Sequence, residues 1–143
     1  MDNAFDSLWH DYQKTQFLLT QRLATDFSFA IITAHNPLGT NLTPCQNRLL
    51  DKQLLHQIEL HRSPYRALVG ASADLSHLEK SWAVFIDKSD AVALGCQFNQ
   101  LAIYYVEKGE LSLVPCAAEK PEVLLGDFHR RTKLVYELPD LNA

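Results

Sequence analysis

Cysteine is scarce in this sequence, and the three present, Cys45, Cys96 and Cys116, are odd in number and never spaced as Cys-x-x-Cys. That argues against a disulfide framework and against a thiolate zinc site. Long apolar runs are also missing: no stretch approaches the roughly 18 consecutive apolar residues of a transmembrane helix, and no basic region precedes an apolar segment at the start. The expectation is a cytoplasmic chain with no membrane partner. Among the five glycines there is no Gly-x-Gly-x-x-Gly, P-loop or Gly-x-Ser-x-Gly, and the six histidines make no His-Glu-x-x-His. No cofactor and no metal are therefore expected. Excess positive charge is absent as well, and a net charge of -4 gives no general attraction to nucleic acid. Tyr104 and Phe85 offer stacking surface, but the strand around Phe85 lacks the Lys/Arg-Gly-aromatic signature of RNA readers. Internal repeats and low-complexity runs are missing too.

What is there suits one self-sufficient domain. At 143 residues, 47% hydrophobic and 21% charged, the chain has ordinary globular composition, and a chain of this size buries about two-thirds of its unfolded surface.

The most informative stretch runs from Phe29 to Arg48. Phe29 to Thr33 is a short apolar run rich in β-branched and aromatic residues, the pattern of a central strand buried on both faces. Asn36-Pro37 stops it, and Gly39 gives the following loop access to positive φ. Thr43-Pro44-Cys45-Gln46 reads as a helix start, with threonine as N-cap, proline in the first turn and glutamine placed for a capping box. A strand feeding a polar loop and a helix N-terminus can hold an anion or a polar group, and His35, Asn36, Asn41 and Asn47 lie near that end. The same residues also serve as ordinary turn and cap residues.

In chain order, Asn3 to Lys14 sets Phe5, Leu8, Trp9 and Tyr12 on one face of an amphipathic helix. Thr15 to Thr20 fits either a further helical turn or a short edge strand, and the strand is the preferred reading. The helix from Pro44 to about His61 buries Leu50, Leu54 and Ile58, with Asp51, Lys52, His56 and Glu59 outside. Tyr65 to Ala73 is a strand whose Gly70 suggests a bulge or the close approach of another backbone. Ser81 to Asp87 is the next strand, Ser89 caps a short helix carrying Ala91, Leu94 and Phe98, and Leu101 to Val106 and Leu111 to Cys116 form a hairpin about Lys108-Gly109. Beyond Glu119-Lys120-Pro121 the pattern weakens. Phe128 to Arg131 and Lys133 to Leu138 read as a basic turn and an edge strand, or as an arm packed on the body.

The expected class is α+β: a ferredoxin-like β-α-β-β-α-β core with a mixed or antiparallel sheet, an N-terminal helix and an extra C-terminal strand, giving five core strands. Residues 1–120 are expected to form the single domain, with 121–143 as an extension packed on it or mobile.

Thr33-Ala34-His35-Asn36-Pro37, then Asn47, Glu79-Lys80-Ser81 and Phe98-Asn99-Gln100-Leu101-Ala102 resemble a small bacterial family known only as a domain of unknown function, number 3293. The likeness covers about Tyr12 to Cys116. The family's pattern is Thr-Ala-x-Asn-Pro with an aromatic often at x, then Asn, Glu-x-Ser and Phe-x-Gln-x-Ala. Here His35 stands at x, and His77 stands where a tryptophan is usual. The resemblance brings no activity with it, but it implies a set of matching polar positions: Asn36, Asn47, Glu79, Ser81 and Gln100. With the first and third core strands antiparallel neighbours, these residues come to one sheet edge, with Asn47 facing the site directly and the approach passing His35. They serve there either as a ligand site or as a polar network closing loops onto the sheet.

Three kinds of function fit. One is a binding module for a small polar or anionic ligand at that edge. Another is an enzyme with Glu79 or His35 as general base and Cys45, at a helix start, as a remote nucleophile. The third is an interaction or homo-oligomeric module pairing through a sheet edge. A metal set of His35, His77 and Glu79 is a further arrangement to look for. Thiol titration of the native-purified chain under denaturing, non-reducing conditions is expected to count three free thiols, and a count of one would contradict the reducing-compartment argument.

Overall fold

The computed structural model describes residues 3–116 and 120–141; Met1, Asp2 and Glu119 of the segments discussed above lie outside the described residues. Among the described residues the chain builds α1 (Asn3–Tyr12), β1 (Gln16–Leu19), β2 (Phe29–Ile32), α2 (Pro44–Leu60), β3 (Tyr65–Ala71), β4 (Leu78–Val84), α3 (Lys88–Gln97), β5 (Ala102–Glu107), β6 (Glu110–Pro115), β7 (Val123–Asp127) and β8 (Thr132–Leu134). All the strands join one sheet in the order β7-β6-β5-β2-β4-β3-β1-β8. Neighbours run antiparallel except β1 and β8, which are parallel, so the protein is α+β with a mixed sheet.

β2 sits near the middle of the sheet with all four residues buried, as its apolar run requires. Its alternation divides the core. Ala30 and Ile32 face α2 and α3, where Leu54, Ile58, Ala91, Leu94 and Phe98 complete one cluster. Phe29 and Ile31 face the other side, with Phe17, Leu68, Ala83, Val106, Leu111 and Phe128. α2 and α3 therefore cover one face, while α1 lies over part of the opposite face, its Tyr12 carbonyl accepting the Tyr104 hydroxyl at 2.6 Å. The start of α2 matches its sequence signal: Thr43 accepts from the Gln46 backbone N–H while the Gln46 side chain accepts from that of Thr43. Lys108 (φ 52°) and Gly109 (φ 79°) turn the β5–β6 hairpin, the left-handed pair that suits the twist of two-residue loops.

Several expectations are corrected. The eight-stranded sheet among the described residues includes β7, which the sequence pattern does not mark as a strand. β1 is not an edge, because β8 covers it. β4 begins at Leu78 rather than Ser81, so Glu79 lies within the strand, not ahead of it. Gly70 pairs with Glu79 in unbroken register and makes no bulge; the irregularity falls between β6 and β7 at Leu111/Ser112. Asp87 occupies the N-cap of α3 in place of Ser89. Asp51, read as an outward residue of α2, is buried, because Trp82 and Lys80 supply partners that a helical wheel cannot reveal.

The C-terminal segment takes part in the core. β7 pairs with β6, and Phe128 is wholly buried with its ring 5.8 Å from that of Phe17 and 5.3 Å from that of Phe29. Replacing Phe128 by Ala is expected to cost about 3–5 kcal/mol in urea unfolding, the usual range for a core phenylalanine; a loss well under 1 kcal/mol would show the segment to be only loosely applied.

Candidate functional site

The loop end of β2 is held by side chains that each hold two elements together. Thr33 Oγ1 donates to the Lys80 carbonyl at 2.7 Å and accepts the His35 backbone N–H at 3.0 Å, tying the exit of β2 to β4. Asn36 then takes a left-handed conformation (φ 50°, ψ 60°), which asparagine tolerates better than most residues. Its backbone N–H donates to Asn47 Oδ1 at 2.9 Å, and its own Oδ1 accepts from Asn47 Nδ2 at 2.9 Å and from the Leu42 N–H at 3.0 Å. The remaining donor, Asn36 Nδ2, reaches Glu79 Oε2 at 2.8 Å. Loop, helix start and strand meet in these two amides.

Alternation along β4 sends its polar residues in two directions. Lys80 and Trp82 face α2, where Asp51 accepts the Trp82 indole N–H at 2.8 Å and pairs with Lys80 Nζ at 3.0 Å, and the lysine also lies 4.4 Å from the indole centroid. That side is closed. Glu79 and Ser81 face the other way, into a cavity of about 620 Å³ between α1 and the open face of the sheet. Its floor includes Phe17, Ile31, Tyr104 and Leu113, and its rim includes Asp11, Asn41, Asp74, Ser76 and His77.

The structure brings Asn36, Glu79, Ser81, Gln100 and His35 to this cavity and leaves Asn47 outside its lining, bracing Asn36 from behind. Ser81 Oγ donates to the Glu79 carbonyl at 3.2 Å, and Gln100 Nε2 donates to the His35 carbonyl at 3.1 Å, so both act partly as struts. Glu79 is different. Its Oε2 takes Asn36 Nδ2 and the ring of His77 (3.0 Å), while Oε1 has no protein partner among the described residues. The approach expected past His35 is not there: that ring is only 7% exposed, and the half-exposed His77 stands at the rim instead. Cys45 is exposed, receives Arg48 Nη2 at 3.9 Å, and does not line the cavity with His35, so the remote nucleophile has no base beside it. Among the described residues no group of three His, Cys, Asp or Glu could hold a metal, which removes the set His35, His77 and Glu79.

Residues missed in the sequence complete the wall. Tyr12, which helical spacing groups with Phe5, Leu8 and Trp9, lines the cavity, and its hydroxyl has no protein partner among the described residues. Burial, then the negative charge of Glu79 and Asp11, pushes that hydroxyl up to about 12. Hydrogen bonds from Ser76 and Ser72 hold the Asp74 carboxyl down at about 2. Burial lowers His35 despite the nearby carboxylate of Glu79, whereas the hydrogen bond to Glu79 raises His77.

A family model described as protein of unknown function (DUF3293) matches residues 32–103, about half of the chain. No curated protein matches, and no solved structure matches. No helix among the described residues is long and apolar enough to cross a membrane.

The two cavity histidines are expected to titrate on opposite sides of the ordinary value of 6.5. His77, raised in the fold, adds stability that is fully present below that value and fades as pH rises through its higher folded pKa. His35, lowered in the fold, does the reverse: its contribution is full above 6.5 and is lost as pH falls toward its folded pKa. Histidine ring resonances followed by NMR should place His77 above His35, and Glu79→Gln should bring His77 back toward the ordinary value; His35 titrating above His77 would contradict the assigned causes.

Proposed function

We propose, for a chain that belongs to the DUF3293 family of proteins of unknown function, that it binds a small polar molecule in the cavity beneath α1, with Glu79 as the anchoring group. The carrying observation is the state of Glu79. One carboxylate oxygen is fixed by Asn36 and His77 while the other has no protein partner among the described residues, so the carboxylate is set in place before any ligand arrives. Such preorganisation lowers the ordering cost of binding. On the other face of β4, by contrast, Asp51 uses both of its oxygens within the protein. The cavity volume lies within the range of about 300–1,000 Å³ common to small-molecule sites, and it combines an apolar floor with a few convergent polar groups.

The cavity is built less for an anionic ligand. The Gln46 N–H at the start of α2 is taken by the helix's own capping box, and neither Thr43 nor Gln46 lines the cavity. We also propose that β2-α2-β3-β4-α3-β5 is a ferredoxin-like split βαβ core. The order β5-β2-β4-β3, antiparallel throughout, with both helices packed on one face, supports that reading. A cytoplasmic setting is proposed with it, since three unpaired thiols suit a reducing compartment.

A thermal-shift screen of common metabolites against the full chain and Glu79→Gln tests the function. At least one compound class is expected to raise the melting temperature of the native chain and to lose that effect in the variant, whose own stability changes little. Identical responses from the two proteins across the screen would remove Glu79 as an anchor.

A further inference from the structure

We infer that the ligand is a protonated organic amine with an apolar body, its ammonium bound by Glu79 at the cavity mouth and its body lying on the aromatic floor; this rests on the reading of the cavity as a small-molecule site. The open Oε1 of Glu79 can only accept a hydrogen bond when ionised, and an N⁺–H donor makes the short, charge-assisted kind. The charge balance of the wall points the same way. Asp11, Asp74 and Glu79 supply three carboxylates against Lys14 and the rim imidazole of His77, whose pKa is raised by its hydrogen bond to Glu79, and His35 is kept toward its neutral form by burial. Asp74 stays ionised because Ser72 and Ser76 donate to it, so an anionic ligand would meet like charge at the rim.

The floor selects for the rest of the molecule. Phe17 and Tyr104 pack edge to face with centroids 5.0 Å apart, and Ile31 and Leu113 border them, which gives an apolar bed beside ring surfaces that attract cations. The Tyr12 hydroxyl is an additional acceptor and donor within the wall, and the charges of Glu79 and Asp11 both reach it. A carboxylate near the mouth, carboxylates at the rim and an aromatic base fit an alkyl- or arylammonium compound better than a sugar phosphate or a carboxylic acid.

The test uses matched probes. Phenylethylamine, phenylethanol and phenylpropionate, with the corresponding butyl series, are titrated calorimetrically into the full chain at neutral pH and low salt, and amide NMR shifts locate binding. The amines are expected to bind roughly ten-fold or more tightly than either analogue, about what one charge-assisted contact supplies. Their shifts should map to Gly70, Ser81 and Gln100, and Glu79→Gln should erase the preference for amines while leaving weak alcohol binding and the fold intact. Alcohols or carboxylates binding at the same residues as well as the amines would overturn the amine inference and leave the cavity site standing. No shift at those residues with any probe would overturn both.

Discussion

The reciprocal bond between the Asn36 and Asn47 amides is the contact on which the loop end of the sheet depends. It joins three elements at one point: the loop after β2, the first turn of α2 and, through Asn36 Nδ2, β4 at Glu79. Asn36 can do this only in its left-handed conformation, where its backbone N–H and its side chain both reach Asn47. A hydrogen bond of this kind is worth only about 0.5–1.5 kcal/mol net, but leaving its partners buried and unmet costs about 1–3 kcal/mol. The arrangement is therefore close to all-or-none. Among the described residues no buried side-chain nitrogen or oxygen lacks a partner, so the buried polar groups behind the cavity are all satisfied within the fold.

β4 shows how one strand serves two purposes. Its residues alternate between a closed side, where Lys80 and Trp82 satisfy Asp51 of α2, and an open side, where Glu79 and Ser81 meet the cavity. The closed side is a structural ion pair braced by an indole. The open side has a carboxylate with spare capacity. A shift of one residue in register would exchange the two roles, placing Glu79 against α2 and Lys80 in the cavity. The unbroken β3–β4 ladder from Tyr65 to Ala71 guards against that slip.

Much of this was legible in the sequence wherever a local rule settles the matter. The capping box at Thr43, the left-handed turn at Lys108-Gly109 and the burial of Phe29 to Ile32 each follow from short-range chemistry. The convergence of Asn36 and Glu79 on one edge was also within reach, since antiparallel neighbours bring the exit of one strand to the entrance of another. What escaped depends on partners distant in sequence. Asp51 is polar and sits on a helix, and only Lys80 and Trp82, far along the chain, give a reason for burying it. Tyr12 shares its spacing with true core aromatics, and only the position of α1 over the open face separates the two uses. β7 has Gly126 at φ 102° and few clear alternations, and it becomes a strand because β6 offers an edge.

The parallel ladder between β1 and β8 sets the order in which the protein can form. Phe17 pairs with Thr132 and Leu19 with Leu134, and the Val135 N–H closes on the Leu19 carbonyl at 2.8 Å. The chain between those partners must be made before that side of β1 is covered, and loops this long close slowly compared with a helix or a hairpin. During synthesis β1 therefore waits as a bare strand edge beside an unfilled place for Phe128, and the nascent chain at that stage is the form most exposed to pairing with a stranger.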